Sequence, residues 1–107
     1  MANYLLVYHG GTPMDDNASP EQRQAVMSAW AAWFQKLGSG IVDVGNPVGR
    51  NWTLSSQGTT EDGGSNPATG YSVISADSMQ QALEMTVGCP HLDAGGTIQL
   101  CETFNVG

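Results

Sequence analysis

The chain has 107 residues, a hydrophobic fraction of 40% and only 12% charged residues, which suits one folded domain spanning 1–107 with a modest core rather than a disordered segment. Three basic residues, Arg23, Lys36 and Arg50, face ten acidic ones, for a formal charge of −7. That charge repels phosphate backbones and anionic membrane surfaces, and no apolar run approaches the roughly 20 residues of a spanning helix. The expected setting is the cytoplasm, with no nucleic-acid or membrane partner. Cys89 and Cys101 lie in unlike contexts, and both are expected to be reduced thiols.

Tyr4 to His9 is rich in β-branched and aromatic residues and ends at Gly10-Gly11, which predicts a first strand closed by a turn. After a polar loop, Ser19 precedes Pro20, with Gln22 three residues after Ser19. This is a capping box with proline at the first helical position. The helix it opens carries Val26, Trp30, Trp33, Phe34 and Leu37 on one stripe and should close at Gly38 to Gly40. Ile41 to Val44 reads as a second strand, broken by Gly45-Asn46-Pro47, with Asn51 to Leu54 as its continuation or a hairpin partner.

Residues 55–69 hold almost nothing apolar and read as a long surface loop. Tyr71 to Ala76 predicts a third strand. Asp77 with Gln80 repeats the capping spacing before a second helix that turns Met79, Ala82, Leu83 and Thr86 inward and stops at Gly88 and Pro90. Thr97 to Phe104 alternates apolar with mostly polar residues, the mark of a half-buried strand.

The order β-α-β, β-α-β predicts an α+β domain of ferredoxin-like βαββαβ topology: a four-stranded antiparallel sheet with two helices on one face. The other face would be bare, carrying Leu5, Val7 and Ile74 beside Thr97, Gln99, Cys101 and Thr103. Such a face calls for a partner, and a homodimer is expected.

The chain resembles the YCII-related (DGPF-type) family. The likeness runs through Tyr4 to Tyr8, Ser19-Pro20-Glu21, Ala29 to Phe34, Gly70 to Ile74, Ala76-Asp77-Ser78, Ala82-Leu83-Glu84, Gly88 to Leu92 and Gly95 to Ile98. The resemblance implies sheets paired face to face as a dimeric α+β barrel, and in some members a catalytic His-Asp pair. Where such members place a histidine midway along the first helix this chain has Trp30, which cannot transfer a proton. The DGPF tetrapeptide is absent, with Asp43 to Pro47 in its place.

In the inferred topology the end of the first strand lies beside the lead into the fourth, which gathers His9, His91 and Asp93 as candidate catalytic residues. A histidine held by a carboxylate would serve a small-molecule lyase or isomerase. The alternative is a non-catalytic ligand-binding or regulatory dimer. Tyr8, Asp15 and Arg50 are candidates for holding a ligand, Arg50 through its planar fork. The same His and Asp set, with Asp15 or Asp16, suits zinc, iron or manganese, but no paired-ligand spacing supports it, so neither metal nor other cofactor is expected. Gly10-Gly11 and Gly95-Gly96 lack the lysine and hydroxyl of a phosphate loop and read as turns.

Overall fold

The computed structural model describes residues 1–12 and 17–106. Its elements in chain order are β1 (Ala2–His9), α1 (Pro20–Leu37), a 3-10 turn (Gly38–Gly40), β2 (Ile41–Asp43), β3 (Thr53–Ser55), β4 (Gly58–Thr60), β5 (Ala68–Ala76), α2 (Met79–Met85), α3 (Pro90–Asp93) and β6 (Thr97–Glu102). Four strands form an antiparallel sheet in the order β2-β5-β1-β6, and β3 pairs only with β4. The architecture is α+β, and its strand order is compatible with a ferredoxin-like arrangement.

Strict alternation makes β1 two-sided. Tyr4, Leu6 and Tyr8 are buried under the helices, while Leu5, Val7 and His9 point to the other face and are only half-buried. On β5 the covered set is Gly70, Ser72, Ile74 and Ala76. Ile74 is therefore on the covered face and fully buried, contrary to the expectation that it lies on the bare one. Val73, opposite Leu5 in the register, takes its place there.

Helix α1 begins as expected. Ser19 Oγ accepts from the Gln22 N–H at 3.1 Å, and the Gln22 side chain accepts from the Ser19 N–H at 2.8 Å. Only Trp33 on its stripe is buried. Trp30, Phe34 and Leu37 pack partly against the core, and Val26 remains exposed. The cap of α2 falls one residue later than the sequence pattern suggests: Ser78 Oγ accepts from Gln81 N–H, and Gln81 Oε1 accepts from Asp77 N–H. This turns the helix so that Ala82 is buried and Met85 packs on the core, leaving Met79 and Leu83 exposed.

Of the stretch 55–69 expected as a loop, residue 55 closes β3, residues 58–60 form β4 and β5 begins at Ala68; β3, which overlaps the 51–54 segment, pairs with β4 rather than continuing β2, and all six hairpin residues are exposed. After β2 the chain does not leave the sheet. Tyr71 N–H donates to the Asn46 carbonyl, Val48 N–H to the Thr69 carbonyl, and Pro47 bridges Gly70, so residues 44–48 run on along β5 as an irregular edge. Gly45 makes this possible. It has φ +75°, and a Cβ there would lie 1.7 Å from the Tyr71 carbonyl oxygen.

Candidate functional site

The irregular edge at 44–47 stands away from α1 and leaves a cavity of about 460 Å³ between them. Val26, Met27, Trp30 and Phe34 line it from the helix, Val44 to Pro47 from the edge, and Tyr8 and Ser72 from the sheet, with His91 also reaching it. Size and lining are those of a small-molecule site: mostly apolar and aromatic walls with a few placed polar groups.

The polar groups at its floor are bonded to one another. Ser72, fully buried, donates from Oγ to the Val44 carbonyl at 2.8 Å and lies 2.8 Å from the Tyr8 hydroxyl. Burial pushes the Tyr8 hydroxyl up to about 12, so it is protonated at neutral pH. Burial also pushes the Cys89 thiol up, which makes it a poor nucleophile. Cys89 and Cys101 are not joined to each other.

His91 sits on α3, a short turn of helix that the sequence did not reveal. Its Nε2 donates to the backbone carbonyl of His9 at 2.8 Å, and its ring lies 5.1 Å from that of Tyr8. A Cβ on Gly96 would come within 2.1 Å of Nε2 and one on Gly11 within 2.8 Å of Cε1, so both turns must be glycine for the ring to fit between them. These pairs, read from sequence only as turns, are what seat His91.

The structure brings part of the expected triad together. His91 and Asp93 line a second cleft of about 640 Å³ with Thr12, Gln22 and Pro90, and it shares Val26, Trp30 and His91 with the first. The ring of His9 is elsewhere, on the open side of the sheet, with Nδ1 2.9 Å from the Asn66 carbonyl and Nε2 3.2 Å from Gln99 Oε1. His9 and His91 thus meet through a backbone carbonyl, with their rings on opposite faces. No hydrogen bond or ion pair joins either histidine to Asp93 among the described residues.

Of the residues expected to hold a ligand, Tyr8 lies at the cavity floor. Arg50 is exposed, is paired with Glu61 beside the β3-β4 hairpin, and lines neither cleft. Asp15 and Asp16 lie outside the described residues. Among the described residues no three His, Cys, Asp or Glu side chains stand together as a metal site, and no helix is long and apolar enough to cross a membrane.

Trp30, Phe34, Ser72 and the 44–47 edge were not assigned to a site from sequence. Trp30 and Phe34 read as core, and Ser72 gives no signal until the strand's faces are known. No family model and no curated protein matches the chain. Fold and site together define a class: an α+β sheet protein with an apolar cavity between its first helix and an edge of the sheet.

Proposed function

We propose that the chain is a small-molecule-binding protein whose ligand occupies the cavity between α1 and the 44–47 edge. One observation carries this reading: an apolar cavity of about 460 Å³ whose floor holds two polar side chains, Tyr8 and Ser72, fixed by a hydrogen bond to each other and by the bond from Ser72 to the Val44 carbonyl. Fixed groups bind without an ordering cost, which favours recognition. Titration with a panel of small apolar molecules, read by tryptophan fluorescence and by chemical-shift mapping, tests it. Shifts should centre on Trp30, Phe34 and Gly70 to Ser72. Ala31→Trp, which fills the mouth from an exposed helix position, should abolish them. Shifts confined to the β3-β4 hairpin would reject the reading.

His91 favours a second reading, a lyase or isomerase. With Nε2–H fixed on the His9 carbonyl, the neutral ring keeps an unprotonated Nδ1, and Asp93 shares the adjoining cleft. Turnover lost in His91→Gln but kept in His9→Asn would support it.

The binder works as a homodimer in this proposal. Leu5, Val7, Tyr71, Val73 and Cys101 are only half-buried on the open face of the sheet. Pairing of two such faces fits the YCII-type barrel that the sequence resembles, and the free thiols fit a cytoplasmic location.

A further inference from the structure

Three protons around the cavity floor are already committed. Ser72 Oγ gives its proton to the Val44 carbonyl, which can only accept, so none remains for Tyr8. The 2.8 Å contact between the two hydroxyls is therefore a bond from the Tyr8 O–H to Ser72 Oγ. On the same wall, His91 gives its Nε2 proton to the His9 carbonyl, leaving a lone pair on Nδ1 of the neutral ring. What the side chains that reach the cavity keep for a ligand is acceptor capacity, on Tyr8 Oη and His91 Nδ1.

Charge narrows the class further. No Asp, Glu, Lys or Arg lines this cavity among the described residues. A carboxylate or an ammonium entering it would leave water without a counter-charge, which is costly. An ether or ketone oxygen placed beside Tyr8 and His91 would face lone pairs rather than donors and would also lose its bond to water.

We infer that the cavity selects an uncharged, largely apolar molecule that presents an O–H or N–H donor, and that it discriminates against carboxylates, ammonium ions and acceptor-only analogues. The inference rests on the binding reading above and specifies its ligand.

Five probes of one shape test it by calorimetry: 1-naphthol, 1-methoxynaphthalene, 1-methylnaphthalene, 1-naphthoate and protonated 1-naphthylmethylamine. Naphthol should bind roughly fivefold or more tighter than the ether and the hydrocarbon, the yield of one neutral hydrogen bond. The two ions should bind more weakly than the hydrocarbon. The naphthol advantage, taken as the ratio of naphthol to methylnaphthalene affinity within each variant, should fall in Tyr8→Phe or in His91→Ala. Equal affinity for naphthol, ether and hydrocarbon would leave the cavity as a binding site and defeat the donor rule. An ion binding tightest, or a naphthol advantage that survives both variants, would defeat it as well. Failure of all three uncharged probes to bind would overturn the binding reading and this inference together.

Discussion

Ser72→Ala is the substitution that most directly probes the cavity floor. It removes the donor to the Val44 carbonyl and the acceptor for the Tyr8 hydroxyl at once, at a fully buried position. A net bond contributes about 1 kcal/mol and an orphaned buried group costs about 1–3 kcal/mol, so a loss on the order of 2–4 kcal/mol is expected. Tyr8→Phe removes one bond and strands no donor, since Ser72 still donates to Val44, and should cost about 1 kcal/mol. In the double variant no Tyr8 hydroxyl is left without an acceptor, so it should be about 1–2 kcal/mol less destabilised than the sum of the singles. Urea unfolding followed by circular dichroism, at one fixed protein concentration so that association does not intrude, measures all four corners of this cycle. Additivity to within about 0.5 kcal/mol would show that the hydroxyls are not coupled. A Tyr8→Phe cost above that of Ser72→Ala would show that the proton assignment is wrong.

Stability should fall between pH 10 and about 12 through Tyr8, whose hydroxyl is raised from 10.0 to about 12 by burial. In that window the unfolded chain has released a proton that the folded chain retains, so the contribution, on the order of 2 kcal/mol, is complete below pH 10 and lost above it. Urea midpoints at pH 9 and 11.5 should therefore converge in Tyr8→Phe relative to wild type. Gly45→Ala should lower the melting temperature far more than Gly10→Ala. Both have positive φ, a strain of about 1–2 kcal/mol, but only Gly45 also meets a carbonyl oxygen at 1.7 Å. If the proposed dimer forms, light scattering should give a dimer mass for the wild type and a folded monomer for Val73→Lys, and a wild-type monomer at micromolar concentration would reject the dimer. His9→Ala should speed hydrogen exchange around Asn66 to Ala68 without changing ligand affinity in the cavity, whereas His91→Ala should change that affinity; equal effects on affinity would contradict their placement on opposite faces.

Where the fold was legible, two independent signals agreed. The first helix had cap, proline and apolar stripe in one register, and β1 had a β-branched and aromatic run followed by two glycines. The second helix had two registers to choose from, because Asp77-Gln80 and Ser78-Gln81 are both good capping pairs, and packing of Ala82 and Met85 decided for the later one. The faces of β5 could not be read from composition, since Tyr71, Val73 and Ser75 on one side look much like Ser72, Ile74 and Ala76 on the other. The β3-β4 hairpin carries no period at all because neither of its faces is buried.

The candidate site shows the same division between what alternation dictates and what folding alone can decide. Antiparallel pairing of β1 with β6 sets His9 opposite Thr97, and so brings the segment that carries His91 to the end of β1. The convergence of the two histidines was therefore readable from topology. Their chemical relation was not, although the same alternation that buries Tyr8 forces the His9 ring to the opposite face. Only the His9 carbonyl remains available to His91, and that carbonyl does to His91 what a carboxylate was expected to do: it holds one tautomer and directs the other nitrogen's lone pair outward from the bond. The cavity was hidden for a different reason. It exists because Gly45 lets the edge after β2 press against Tyr71 and Ser72 instead of packing on α1, a tertiary consequence of one backbone dihedral with no periodic trace in the sequence.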